Sequence, residues 1–181
     1  SVFKARLAAS DQSLIILGVT FRLPLRANVN LAYAELAEAF ELDAAKAGKQ
    51  KRHAPAPLQV AAAVMAIRRK KLPDPGEYAN AGSFFKNPVI DASTAQRLQV
   101  RSVTPYRFAQ GYRVSAAQLM DLAGWKGARS GDVGCWPKQP LVLVNYGQAS
   151  AEHLLGFAQE IQRSIAERFE IQLELEPSVV S

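Results

Sequence analysis

Cysteine and histidine are nearly absent from this chain of 181 residues, which contains one cysteine, Cys135, and two histidines, His53 and His153. A single cysteine excludes a disulfide within the chain and favours a reducing compartment. One cysteine and two histidines far apart in sequence also supply too few ligands for a Cys/His zinc site. We therefore predict no metal centre.

Long apolar runs are also lacking. The longest, at 14–19, is far shorter than the ~20 residues that a membrane-spanning helix needs. No segment resembles a signal peptide, so we predict a protein without a membrane partner. Because the chain begins with Ser1 instead of methionine, we expect it to be part of something longer.

Basic residues exceed acidic ones, with 22 Lys and Arg against 16 Asp and Glu, which gives a formal net charge of +6. This excess favours anionic partners: phosphorylated small molecules, nucleic acid or an anionic membrane surface. The chain has no stripe of interleaved aromatic and basic residues, so we rank nucleic-acid binding last and expect no nucleic-acid partner.

Local patterns predict helices interleaved with strands, which is an α+β fold class. Helices are predicted at 31–42, at 58–71 opened by Pro57, at 94–100 capped by Ser93, at 116–125 capped by Ser115, and at 151–168 capped by Ser150. Strands are predicted at 13–23, 83–90, 140–146 and 170–177, the last from its strict apolar/polar alternation. Loops are predicted at 46–57, 72–82 and 126–139.

Four cations end the second predicted helix, at 68–71. Two interpretations are open. Cations at a helix C-terminus complement the macrodipole, and they also suit a clamp for phosphate. Arg68 and Lys71 are three positions apart and share one helix face, so both could meet a single ligand beside the loop that follows.

The segment "NAGSFFKNP" at 80–88 places a hydroxyl, a cation and an amide next to two large aromatics. Ser83 beside a glycine is typical of a turn, whereas a hydroxyl in a polarised site can donate a proton. Glu176 is either solvated, as on most polar strand faces, or positioned against a ligand. Cys135 is expected to pack, because a nucleophile needs a neighbouring base that the sequence does not display.

The segment "KLPDPGEYANAGSFFKNP" at 71–88 resembles UDP-N-acetylenolpyruvoylglucosamine reductases (MurB), also called UDP-N-acetylmuramate dehydrogenases. Further similar segments follow in the order of that family: "SVFK" at 1–4, "LGVTFRL" at 17–23, "LAY" at 31–33, "QPLVLVNYGQAS" at 139–150 and "LELE" at 173–176. The resemblance thus extends over almost the whole chain.

The resemblance implies an oxidoreductase that uses FAD and NADPH. Its substrate would be UDP-N-acetylglucosamine enolpyruvate, reduced to UDP-N-acetylmuramate for peptidoglycan synthesis. By the same resemblance, Ser83 would donate the proton to C2 of the enolpyruvyl group, and Glu176 would stabilise the developing enolate as a hydrogen-bonding acid.

The resemblance also implies a set of substrate-binding residues. Arg68, Lys71 and Asn87 would bind the diphosphate, which suits the basic charge. Tyr33 and Tyr106 would cover the substrate and contact its nucleotide part.

The family carries an FAD-binding domain, with a glycine-rich loop, ahead of the segment that "SVFK" resembles. We therefore expect 1–45 to be the end of that flavin domain with its connection, and 46–181 to be a mixed α/β substrate-binding domain. The chain departs from many members at Trp136, where they have histidine, and at 177–178, where Pro-Ser replaces Val-Arg.

These features favour the C-terminal portion of a cytoplasmic reductase of cell wall biogenesis, with roles in cell shape and cell division. The missing N-terminal FAD domain would be its partner, so the chain alone is expected to bind no FAD and to be inactive. The alternative is a non-catalytic module that binds a sugar nucleotide.

Overall fold

The computed structural model describes residues 17–22, 29–31, 33–40, 55–109 and 111–179. The chain divides into two compact units, Ser1–Val60 and Ala61–Ser181. The predicted segment at 1–4 and most of the predicted loop at 46–57 lie outside the described residues.

The first unit contains helix α1, Ala34–Ala39, within the predicted helix at 31–42. The predicted buried strand at 13–23 is wrong for its described part, because 17–22 form no strand and Leu17 and Phe21 are exposed. An apolar run becomes a strand only when another strand pairs with it, and no described residue pairs with 17–22.

Helix α2, Pro57–Lys71, begins at the predicted proline and ends at the last of four consecutive cations. Proline suits the first turn because its fixed backbone angle is helical and its missing N–H would have no helical partner there. Gln59 Oε1 accepts a hydrogen bond from the Ala56 N–H at 2.8 Å, which completes the helix start. None of the residues of α2 is buried.

An antiparallel sheet of four strands forms the centre of the second unit, in the order β1-β7-β6-β5. Its strands are β1 Ala79–Ser83, β5 Arg129–Ser130, β6 Val133–Trp136 and β7 Gln139–Asn145. Strand β7 confirms the prediction at 140–146. Strand β1 begins inside the predicted loop at 72–82. Pairing with β7, some sixty residues further along the chain, forms this strand, and the local sequence does not show that pairing.

The predicted loop at 126–139 is wrong, since it contains the hairpin of β5 and β6. Its glycines serve the hairpin instead of breaking structure. Gly131 turns the chain with a φ of 56°, a conformation that side chains disfavour. At Gly134 a Cβ would lie 2.6 Å from Arg129 Cγ and 2.7 Å from the Ala128 carbonyl oxygen, so the close approach of β5 requires glycine there.

A second sheet of three short strands has the order β2-β4-β3. Its strands are β2 Val89–Ile90, β3 Tyr106–Phe108 and β4 Gly111–Arg113. The β3–β4 hairpin has no signal in the sequence, because strands of three residues are too short to establish an alternation of apolar and polar side chains. The Arg113 guanidinium lies 3.4 Å from the centre of the Phe108 ring, a cation–π contact across this hairpin.

Three further helices complete the second unit: α3 Ala92–Gln99, α4 Ala116–Leu122 and α5 Ala151–Phe169. The predicted caps Ser115 and Ser150 are confirmed. The predicted cap Ser93 is wrong: the Asp91 carboxylate accepts the Thr94 N–H at 2.8 Å, and Ser93 itself donates to Asp91. These hydrogen bonds to its charged form lower the pKa of Asp91.

The core of the second unit lies where the first sheet, α4 and α5 meet the C-terminal segment. Ile171 and Leu173 are buried while Gln172 and Glu174 are exposed, so the predicted alternation at 170–177 is confirmed. The predicted strand itself is reduced to one bridge, Phe85 to Leu175. The largest fully buried side chains are Phe85, Phe169, Leu98, Leu119, Met120, Leu143, Ile161, Ile165, Val114, Val133, Val144 and Cys135.

Over the described ranges, no helix has the length and apolarity that crossing a membrane requires.

Candidate active site

Ser83 lies at the end of β1, directly after a β-bulge. Asn80 pairs with Val144 and Ser83 pairs with Val142, so β1 uses one more residue than β7 over this interval. Gly82 adopts a φ of 73°, and its N–H donates to Asn80 Oδ1 at 3.0 Å. A bulge bends the strand and redirects the next side chain. Ser83 is consequently exposed at the end of β1, and the next residue, Phe84, still donates its N–H to the Leu141 carbonyl of β7 at 2.8 Å.

Beyond Ser83 the chain pairs with the C-terminal segment, which brings Glu176 to the same place. The Glu176 N–H donates to the Phe84 carbonyl at 2.9 Å, and the Lys86 N–H donates to the Glu174 carbonyl at 2.9 Å. Glu176 therefore lies opposite Phe84, the neighbour of Ser83. The two residues that the resemblance implies as catalytic are far apart in sequence but adjacent in the fold.

The two phenylalanines anchor this junction. Phe84 and Phe85 are 3% and 1% exposed, and their rings meet edge to face with centroids 5.6 Å apart. Burying two aromatic rings on either side of one peptide bond immobilises the backbone that carries Ser83. This packing explains why large aromatics directly follow the serine in the sequence.

Asn87 connects the junction to helix α4. Its side-chain oxygen accepts the Ala116 N–H at 2.9 Å, in the first turn of α4. Its side-chain NH₂ group is thus the part of Asn87 with which an anionic ligand would interact. Lys86, the cation beside it, forms an exposed ion pair with Glu174 at 3.1 Å, a type of pair that adds little stability.

The basic end of α2 borders an open groove of about 410 Å³. The groove is lined by Arg68, Arg69, Leu72, Pro73, Asp74 and Pro75. Lys71, which is half-buried, lies next to this lining in sequence. Two arginines against one aspartate in the lining leave the groove with a net positive charge, which favours a phosphorylated ligand.

The register of β7 places this helix end near Ser83. Val142 pairs with Ser83 on one side of β7, and the adjacent Leu143 pairs with Cys135 on the other side. Ser83 and Cys135 are therefore two strand spacings apart, about 10 Å. Trp136, the next residue, donates its indole N–H to the Lys71 carbonyl oxygen at 2.8 Å. The end of α2 and Ser83 are thus connected through neighbouring strands of the same sheet, within the second unit.

Tyr106 and Tyr33, both expected to contact the nucleotide, are 46% and 60% exposed. Tyr106 lies on β3 of the second sheet and pairs with Arg113. Tyr33 lies immediately before α1, in the first unit. Their accessibility suits a role in ligand contact, and that role stays a prediction for both.

An aromatic cluster of Tyr78, Trp136 and Tyr146 lies beside Lys71, and the sequence did not predict it. The rings of Tyr78 and Trp136 lie 5.5 Å apart, and those of Tyr78 and Tyr146 lie 5.6 Å apart. The Arg129 guanidinium lies 4.0 Å from the centre of the Tyr146 ring. These residues are spread over almost seventy positions, and the pairing of β1, β5, β6 and β7 assembles them. No local signal could have found them.

Cys135 confirms the expectation that it packs. It is fully buried in β6, and burial raises the pKa of its thiol to about 12. Because the nucleophilic form of cysteine is the thiolate, Cys135 is not a candidate nucleophile near neutral pH. Within the described ranges, no three His, Cys, Asp or Glu side chains gather closely enough to hold a metal ion.

Comparison with known proteins assigns this architecture. Residues 74–180 match the family model of the UDP-N-acetylenolpyruvoylglucosamine reductase C-terminal domain. Proteins named UDP-N-acetylenolpyruvoylglucosamine reductase are 42% identical in Xylella fastidiosa strain M12, over 92% of this chain and 46% of the relative, and 43% identical in Ralstonia nicotianae, over 99% and 51%. The chain spans about half the length of these relatives. It belongs to the UDP-N-acetylenolpyruvoylglucosamine reductase family.

Proposed function

We propose that this chain supplies the substrate-binding and proton-donating part of a reductase that converts UDP-N-acetylglucosamine enolpyruvate to UDP-N-acetylmuramate. The observation that carries the proposal is the pairing of 84–86 with 174–176, which sets Glu176 beside Ser83. The family name of its relatives indicates the reaction class. A cytoplasmic location and a role in peptidoglycan synthesis, cell shape and cell division follow from that reaction.

Ser83 is the proton donor in this proposal. Reduction of the enolpyruvyl double bond adds a hydride at C3 and a proton at C2, so one group must hold a proton next to C2. A hydroxyl at the exposed end of a strand, with buried aromatics after it, is held in place and remains accessible to a ligand. General acid catalysis by a positioned group contributes about 10²–10⁴-fold to a rate.

Glu176 stabilises the charge that develops before protonation. Hydride addition at C3 leaves negative charge on C2 and on the neighbouring carboxylate, as an enolate. A carboxylic acid that donates a hydrogen bond to this enolate lowers its energy. The backbone bond from Glu176 to Phe84 keeps the Glu176 backbone within one residue of Ser83 across this junction.

FAD is assigned to the part of the full-length protein that lies outside this chain. This assignment rests on the family resemblance, in which FAD is bound by a domain ahead of the segment that 1–4 resembles. Reduced by NADPH, FAD would supply the hydride for C3.

The basic end of α2 binds the diphosphate of the substrate in this proposal. Lys71→Ala should weaken UDP binding to the full-length protein by about 1.5–3 kcal/mol, because a charge-assisted hydrogen bond to phosphate is lost. Isothermal titration calorimetry with UDP, at two salt concentrations, measures this change. The loss should shrink at high salt as the remaining charges are screened.

Lys126→Ala is the matched control for the Lys71 experiment. Lys126 is an exposed cation, and it pairs with Asp121 on α4 at 3.3 Å. Its removal changes the net charge equally and should leave the UDP affinity within about twofold, as expected for a surface ion pair. Equal UDP affinities of Lys71→Ala and Lys126→Ala would show that Lys71 does not bind the diphosphate and only complements the dipole at the end of α2.

A further inference from the structure

The indole of Trp136 forms a hydrogen bond from the first sheet to the last helical carbonyl of α2. Its N–H donates to the Lys71 carbonyl oxygen at 2.8 Å, across 65 positions of sequence. The final carbonyls of a helix have no partner within the helix. Trp136 therefore occupies a position where a donor is needed.

The donor itself is held in place by its neighbours. The Trp136 ring packs against Tyr78, and Tyr78 packs against Tyr146. Trp136 lies at the end of β6, immediately before the turn into β7. Desolvation raises the pKa of Tyr146, as expected for a phenol that its neighbours partly cover. Because these contacts restrain the Trp136 ring, its hydrogen bond fixes the end of α2 relative to the sheet.

Helix α2 has few other means of being positioned. None of its residues is buried, so no hydrophobic side chain locks it to a core. Its final intrahelical bond runs from the Leu72 N–H to the Arg68 carbonyl at 2.8 Å. The rigidity of residues 68–71 relative to Ser83 consequently depends on contacts at the end of the helix, where Trp136 binds.

We propose that Trp136 is a positioning residue for ligand binding: its indole N–H holds the end of α2 so that Lys71 and Arg68 meet the anionic part of the substrate. This inference rests on the proposed function, because it acts through the diphosphate clamp. Trp136 touches neither the reacting atoms nor the hydride donor, so its loss should affect substrate affinity and spare the chemical step.

The test compares kinetic constants of the full-length holoenzyme. Trp136→Phe keeps an aromatic ring against Tyr78 and removes the indole N–H together with part of the bicyclic ring. We expect the KM for UDP-N-acetylglucosamine enolpyruvate to rise about 3- to 10-fold, the worth of one hydrogen bond, with kcat within twofold. Calorimetric titration with UDP should show the same loss of affinity.

Trp136→His is the rescue variant. When the five-membered rings of the two side chains superimpose, imidazole Nε2 occupies the place of indole Nε1, and it can donate a hydrogen bond. We expect its KM to return to within twofold of the wild-type value. A KM as high as that of Trp136→Phe would overturn the role of the N–H.

Trp125→Phe is the matched control, since Trp125 is the second tryptophan and also donates one indole hydrogen bond, to Ser164 Oγ at 3.1 Å. That bond lies between α4 and α5, and its loss should lower the thermal midpoint without changing KM. If both tryptophan variants lower only the thermal midpoint, Trp136 is structural and the inference is wrong.

The double variant with Lys71→Ala tests the proposed route. If Trp136 acts through the end of α2, adding Trp136→Phe to Lys71→Ala should raise KM by a smaller factor than Trp136→Phe does alone, because only Arg68 remains to be positioned, whereas independent sites would multiply their effects. Multiplied effects would overturn the inference and leave the diphosphate clamp intact. An unchanged KM in Lys71→Ala alone would overturn the clamp itself.

Discussion

Replacing Ser83 with alanine should stop product formation by the full-length protein while its FAD is still reduced by NADPH at nearly the wild-type rate. The two half-reactions are chemically separate, since reduction of the cofactor needs no proton donor at C2 of the substrate. Transfer to the substrate does need one, and its rate should fall by about 10²–10⁴-fold. Stopped-flow absorbance of the flavin measures both rates in one protein.

Ser93→Ala is the control for this experiment, because Ser93 is another exposed serine and its hydroxyl donates to Asp91 at the start of α3. Both half-reactions of this variant should proceed normally. Equal slowing of both half-reactions in Ser83→Ala would make Ser83 a structural residue, and no slowing would mean that another group delivers the proton.

Glu176→Ala should slow the reoxidation of reduced FAD by substrate about 10²–10³-fold, the range seen when one donor to a developing oxyanion is removed. UDP affinity should stay within twofold, because Glu176 is assigned to the enolpyruvyl group and not to the diphosphate. Glu176→Gln should lose less, since its amide still donates a hydrogen bond. Single-turnover kinetics with substrate and pre-reduced protein give the rate.

Glu174→Ala separates this role from a general loss of negative charge. Glu174 lies two residues earlier on the same segment, and its carboxylate forms the exposed pair with Lys86. Its removal should cost about 0–1 kcal/mol of stability at most and leave the rate unchanged. Similar rates for Glu174→Ala and Glu176→Ala would contradict the role given to Glu176.

Long elements with strong local signals could be predicted from the sequence. Helix α5 has a serine cap and an apolar stripe, helix α2 has a proline at its start, and β7 is a continuous apolar run. Each signal lies within the element itself. Their bounds accordingly agree with the structure to within one or two residues.

The remainder of the sheets depends on pairing between distant segments. The β5–β6 hairpin is rich in glycine because two backbones approach closely at Gly134, and from sequence alone glycine suggested a loop. Strand β1 contains a bulge that only its register with β7 reveals. At 170–177 the alternation predicted burial correctly, yet it could not show that a single bridge replaces a ladder.

The candidate site could be predicted only in part, because it too is assembled from segments that are distant in sequence. Ser83 and Glu176 were singled out through family resemblance, and their adjacency came only from the structure. The role of Trp136 was hidden, because its partner is a backbone carbonyl of Lys71. A backbone acceptor has no signature in the sequence.

Product analysis of a single turnover tests the central claim most directly. The full-length protein, with its FAD reduced by NADPH, is mixed with UDP-N-acetylglucosamine enolpyruvate, and the nucleotide sugar is identified by NMR and mass spectrometry. We predict complete conversion of the enolpyruvyl ether to the lactyl ether, and bound but unconverted substrate in Ser83→Ala. Tight binding without conversion by the wild-type protein would contradict the account and identify a sugar-nucleotide-binding module instead.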